Sequence, residues 1–96
     1  GRRIASLCGE RLKRVTLEVG GKSAAVILDD ADLDQVVPGL LPAMLMNNGQ
    51  ACVAQTRILA SRRRHDEVVQ ALAAAFGAVK VGDPMEDDTI VGPLVS

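Results

Sequence analysis

Two side chains in this sequence have types that can act together as a nucleophile and a general base. They are the carboxylate of Glu18 and the thiol of Cys52, 34 positions apart. A thiolate is a strong nucleophile that can hold a substrate covalently, and a carboxylate can take a proton from water. Each lies in a stretch with glycine, Glu18-Val19-Gly20-Gly21-Lys22-Ser23 and Asn47-Asn48-Gly49-Gln50-Ala51-Cys52. Glycine lets the backbone turn sharply and lets a ligand come close. The same residues also have ordinary uses. Asn and Gly stop helices, a lone Cys packs as a small hydrophobe, and a Glu at a strand end commonly faces solvent. By spacing alone both readings stand.

Other candidates carry less. Cys8 falls on the apolar stripe of a helix with Ile4 and Leu7 and reads as a packing residue. His65 sits beside Arg62-Arg63-Arg64 at a helix start and reads as a solvated structural residue. Gly21-Lys22-Ser23 ends like a phosphate loop, but that motif needs glycine where this chain has Thr16. No G-x-G-x-x-G occurs, so no self-contained dinucleotide site is encoded. One His and two distant cysteines exclude a structural zinc site.

These residues need elements to hold them. A short amphipathic helix is expected through Ile4, Leu7, Cys8 and Leu12, and a strand over Val15–Val19. The apolar run Ala24–Leu28 fits a strand buried on both faces. Asp30-Ala31-Asp32 supplies helix caps, after which Leu33, Val36, Val37, Leu40, Leu41, Met44 and Leu45 keep helical spacing. Pro38 and Pro42 predict a kink or break there, with a separate short helix leading towards Cys52. Thr56–Ala60 reads as a strand, and His65-Asp66-Glu67 opens a helix through Val68, Val69, Leu72, Phe76 and Val79. Asp83-Pro84 and Gly92-Pro93 mark a turn-rich tail. This order argues for an α/β layer structure.

Composition bounds the rest. At 96 residues the chain is one small domain at most. It is 48% apolar with a single aromatic, Phe76, so the core must come from Val, Leu, Ile and Ala. A formal net charge of −1 selects neither nucleic acid nor an acidic membrane as partner. No signal peptide or membrane-spanning run is evident, and the cysteine usage suits a reducing compartment, so a cytoplasmic location is expected. Both ends read as cuts within a longer protein.

Taken together, Leu17-Glu18-Val19-Gly20-Gly21-Lys22-Ser23, then Asp29-Asp30-Ala31-Asp32-Leu33, then Asn47-Asn48-Gly49-Gln50-Ala51-Cys52 resemble the aldehyde dehydrogenase superfamily. Val81-Gly82-Asp83-Pro84 and Gly92-Pro93-Leu94 are similar to the segment that follows in that family, so the resemblance covers essentially the whole chain. It implies a fragment of the aldehyde dehydrogenase fold, with residues 1–20 ending the cofactor-binding domain and 21–96 beginning the catalytic domain. It implies Cys52 as nucleophile, Glu18 as general base, and NAD or NADP as cofactor, met by Gly1, Val19 and Gly20. The Cys52 backbone amide would help hold an oxyanion; the family's second donor, an asparagine side chain, belongs to a segment preceding Gly1. The expected partner is a small aldehyde, with no nucleic acid or membrane, and the parent protein is expected to be a homo-oligomer. The excised chain should be inactive. Glu18 favours hydrolytic enzymes over acylating relatives that pass the thioester to coenzyme A. Pro38 and Pro42 depart from the family's usual helix formers. Two rivals remain: a thiol hydrolase, which would need His65 to activate Cys52, and a non-catalytic fragment or interaction module.

Overall fold

The computed structural model describes residues 1–96. Its centre is a β–α–β–α unit. Strand β1 (Ala24–Ile27) lies parallel to β2 (Arg57–Ala60), with Ala24 opposite Arg57 and Ile27 opposite Ala60. Parallel neighbours need a crossover, supplied by α2 (Leu33–Leu45) and the loop that follows it. Helix α3 (His65–Gly77) leaves β2 and packs beside α2. The core is Ile27, Leu33, Val37 and Val68, flanked by Leu40, Ile58, Ala71 and Leu72.

Both core helices begin as their sequences require. The Asp32 carboxylate accepts from the Asp34 amide at 3.0 Å and from Gln35 Nε2 at 2.8 Å. That satisfies one of the open donors of the first turn of α2. Asp66 and Glu67 place negative charge in the first turn of α3, where the helix dipole favours it.

Three expectations are corrected. First, β1 is buried on one face only: Ala25 and Ile27 are inside, whereas Val26 and Leu28 are 65% and 63% exposed. Helices cover one side of this two-stranded sheet, so the continuous apolar run leaves alternate residues bare. Second, α2 does not break at its prolines. It runs unbroken from Leu33 to Leu45, with Pro38 and Pro42 four apart on its exposed side. Their rings meet an open apolar groove of about 710 Å³, walled also by Leu41, Leu45, Ala75 and Val79. Third, Val15–Val19 is not a strand. No backbone–backbone hydrogen bond involves residues 14–21, and both strands of the sheet lie elsewhere in the chain. Alternation marks a segment able to pair, but a strand exists only where another edge meets it.

Helix α1 (Arg2–Glu10) buries none of its residues, and Ile4 on its apolar stripe is 55% exposed. Cys8 is half-buried on that stripe. The helix ends where Arg11 and Lys13 donate to the Cys8 carbonyl and Leu12 turns left-handed at φ 52°. The molecule measures 53 × 39 × 18 Å, with a radius of gyration of 18.1 Å. A compact domain of this length would have about 13 Å. No helix is long and apolar enough to cross a membrane.

Candidate active site

Parallel pairing decides where Glu18 and Cys52 go. Because β1 and β2 run the same way, the segments entering them arrive at the same end of the sheet. Glu18 lies six residues before Ala24, and Cys52 lies five residues before Arg57. The two incoming segments are tied there: the Arg57 amide donates to the Ser23 carbonyl at 3.3 Å, and Arg57 Nε donates to the Lys22 carbonyl at 2.9 Å. Both Glu18 and Cys52 are exposed, and no hydrogen bond joins their side chains. The structure therefore brings their supporting segments to one sheet end, with no hydrogen bond between the two groups.

The Cys52 loop is shaped by an unusual turn. After α2, Asn47, Asn48 and Gly49 take left-handed conformations in succession, at φ 52°, 59° and 76°. Asn tolerates this better than other side-chain-bearing residues, and Gly carries no penalty. Asn47 Nδ2 donates to the Gln50 carbonyl at 3.2 Å within the turn. On the far side of Cys52, the Ala54 amide donates to the Ala51 carbonyl at 3.1 Å and Ala54 is 3% exposed. The next amide, that of Gln55, donates to the Ala43 carbonyl of α2 at 3.3 Å. Cys52 is thus carried on a loop fixed at both ends. Its own N–H donates to no acceptor in the chain. An exposed thiol beside an unpartnered backbone donor is an arrangement that can take a carbonyl carbon and stabilise the oxygen that becomes negative.

The residues expected to meet a cofactor are partly brought together. Gly1 caps α1, and a Cβ placed on it would lie 3.6 Å from Cγ1 of Val19 and 3.7 Å from Cδ1 of Leu17. Gly20 is exposed in the same arm, with open space where a side chain would be. The first turn of α1 has no side-chain cap and no acidic residue, and it begins Arg2-Arg3. Free amides, a positive helix end and two cations suit an anionic group. His65, the only histidine, is exposed with Nδ1 2.8 Å from Asp66 Oδ1, on α3 and away from the Cys52 loop. No cluster of His, Cys, Asp or Glu could hold a metal ion.

Residues with long-range roles escaped the local pattern. Asn48, which reads in sequence as part of a helix stop, binds the Gly92-Pro93 backbone through its side-chain amide. Gln50 Oε1 accepts from the Val95 amide at 3.0 Å. At the other end of the sheet, Ser61 donates to Asp29, whose carboxyl is held below the usual range first by that hydrogen bond, against the effect of burial, and then by Arg63 and Arg64. The only advance signal is residue type: Asn and Gln are able to bridge, but their partners lie some 45 positions on.

Comparison with known proteins finds matches along the whole chain. The model of the family described as "Aldehyde dehydrogenase family" matches residues 1–96. Geranial dehydrogenase of Castellaniella defragrans is 53% identical over 96 residues, a span covering all of this chain and 20% of that protein. Betaine aldehyde dehydrogenase of Rhizobium johnstonii is 43% identical, with the same coverages of 100% and 20%. Among solved structures, the Mycobacterium tuberculosis aldehyde dehydrogenase complexed with NAD+ superimposes with a TM-score of 0.95 at 48% identity, again over 100% of this chain and 20% of that one. An E. coli NADP-dependent enzyme gives 0.91 at 34% identity, covering 99% and 20%. The chain spans about a fifth of the length of the relatives it matches.

Proposed function

The chain belongs to the aldehyde dehydrogenase family, and we propose that the full-length protein oxidises an aldehyde to a carboxylic acid with Cys52 as nucleophile and Glu18 as general base. The observation that carries this reading is the common end of the sheet to which the Glu18 and Cys52 segments run. The relatives are named as dehydrogenases of geranial and of betaine aldehyde, so the substrate class proposed here is a small aldehyde.

In this scheme the Cys52 thiolate adds to the aldehyde carbon, forming a C–S bond and leaving a thiohemiacetal oxyanion. The N–H of Cys52, which has no partner in the chain, is the donor proposed to meet the developing charge. Bound NAD(P)+ would supply the hydride acceptor that takes the adduct to the thioester oxidation level. Glu18 then takes a proton from water, the hydroxide adds to the thioester carbonyl, and the C–S bond breaks. The acid leaves and the Cys52 thiolate returns. Net change is aldehyde, NAD(P)+ and water to acid, NAD(P)H and a proton.

Residues 1–20 fit the edge of a dinucleotide site and residues 21–96 the start of the catalytic domain. Gly1, Val19 and Gly20 would meet the cofactor; the close approach of Gly1 to Val19 and the uncapped start of α1 support this. NAD and NADP both fit, since neighbours of each kind match the chain. The proposed parent is a cytoplasmic homo-oligomer. A thiol hydrolase lacks support, because His65 pairs with Asp66 on α3.

The test is turnover of aldehydes by the full-length protein, followed as NAD(P)H absorbance. Cys52→Ala should abolish both the first-turnover burst and steady oxidation. Undiminished oxidation in Cys52→Ala would remove the thiol from the reaction.

A further inference from the structure

The nucleophile loop is tied to a part of the chain more than forty residues away. Asn48 Oδ1 accepts from the Gly92 amide at 3.0 Å, and Asn48 Nδ2 donates to the Pro93 carbonyl at 3.1 Å. One side-chain amide thus bonds both backbone polarities of a dipeptide, which fixes position and orientation together. Two residues on, Gln50 takes the Val95 amide. The clasp falls on a turn whose conformation needs support. Three successive left-handed residues are costly for a free chain, and such backbone persists where its surroundings hold it.

The tail is itself built to present this dipeptide. The Gly82 amide donates to the Val91 carbonyl at 3.0 Å, and the amides of Ile90 and Val91 donate to the Lys80 carbonyl at 3.0 and 3.1 Å. Lys80 Nζ reaches Asp88 and Glu86 across the same loop. Residues 80–91 are therefore closed on themselves, and Gly92-Pro93 leaves them as a fixed arm rather than a loose end. No side-chain hydrogen bond joins Asn48 to Cys52; anything Asn48 does for the thiol, it does through the backbone of the turn.

We infer that Asn48 is a positioning residue for the Cys52 nucleophile, clamping its loop to the Gly92-Pro93 strap. The inference rests on the assignment of Cys52 as nucleophile. Removing the clamp leaves the thiol in place chemically but lets its loop sample other conformations. A displacement on the order of 1 Å at a reacting atom costs about 10²-fold in rate.

Asn48→Gly in the full-length protein separates the clamp from the strain, because glycine accepts φ 59° freely while losing both bonds. Asn48→Asp tolerates the same conformation and keeps an acceptor for the Gly92 amide but loses the donor to Pro93. The readouts are kcat and KM for aldehyde, and the rate of iodoacetamide labelling at Cys52 with Cys8 as internal reference. The clamp predicts, in folded Asn48→Gly, a kcat lower by about 10²-fold with a smaller change in KM, an altered Cys52-to-Cys8 labelling ratio, and intermediate values in Asn48→Asp. Wild-type kcat and wild-type labelling ratio in folded Asn48→Gly would overturn it. If Asn48→Gly fails to fold, Asn48→Asp decides on the same two readouts. Should the wild-type protein oxidise no aldehyde, the family reaction is wrong for this protein, and the labelling ratio alone still decides whether Asn48 holds the Cys52 loop.

Discussion

Arg64 donates to the Ala31 carbonyl at 2.6 Å, a bond joining the start of α3 to the turn that leads from β1 into α2. The same nitrogen reaches the carbonyls of Leu28 and Asp29, while Nε and Nη2 fork onto Glu67. The side chain is only 13% exposed, unlike that of Arg63, which is 73% exposed in its pair with Asp29. A planar guanidinium can serve several acceptors at once; an ammonium on a flexible stem cannot hold the same fork. Arg64→Met should therefore lower the melting temperature of the full-length protein clearly more than Arg63→Ala, and Arg64→Lys should fall between. Equal effects at the two positions in thermal denaturation would show that the carbonyl contacts do not matter.

The carboxylates at this end of the sheet set the direction of a pH response. Asp29 is held below the ordinary aspartate range first by Ser61, and Glu67 is lowered first by its hydrogen bond to Arg64. A carboxylate depressed on folding adds stability above its unfolded value, about pH 4, and loses it as pH falls through the folded value. Lys80 is raised by Asp88 and Glu86, so its contribution has the opposite sense, present at neutral pH and lost as pH rises through its folded value. All these groups meet solvent, so high salt should flatten both limbs. Ser61→Ala should return the Asp29 titration, followed by carbon-detected NMR, towards the ordinary range. An unmoved Asp29 would mean that Ser61 is not the cause.

Only six of the 96 residues are buried, and Val26, Leu28 and Leu59 stand bare on one face of the sheet. The open groove along Pro38, Leu41 and Pro42 adds further uncovered apolar surface. So small a core offsets little of the entropy of ordering the chain. Expressed alone, the 96-residue piece should lack a cooperative thermal transition by circular dichroism. A sharp transition in a sample shown by ultracentrifugation to be monomeric would refute this.

What could be read from the sequence follows from the range of the forces involved. Asp32 as a cap, the apolar stripe of α2 and the start of α3 at His65 are local, and each is where residue type puts it. The strand at Val15–Val19 and the double burial of β1 depend on what lies alongside, which local pattern does not encode. Pro38 and Pro42 point outward on α2, and the helix absorbs their missing donors without ending. Cys52 was legible as a chemical group, but the clasp of Asn48 on Gly92 joins positions with no sequence pattern in common.

The last prediction separates the two proposed catalytic roles. Glu18 enters the scheme only when water attacks the thioester, after the substrate has already given up hydride. In the full-length protein, Glu18→Gln keeps the size and hydrogen-bonding shape of the side chain but cannot take a proton. It should therefore retain a first-turnover burst of NAD(P)H while steady turnover falls by roughly 10²–10⁴-fold, the usual cost of a lost general base. Accumulated thioester on Cys52 should then be visible by intact-protein mass spectrometry. Normal turnover would make Glu18 a solvent-facing residue of the arm, as its exposure alone would allow. Loss of the burst together with turnover would place its main work before hydride transfer, in deprotonating Cys52.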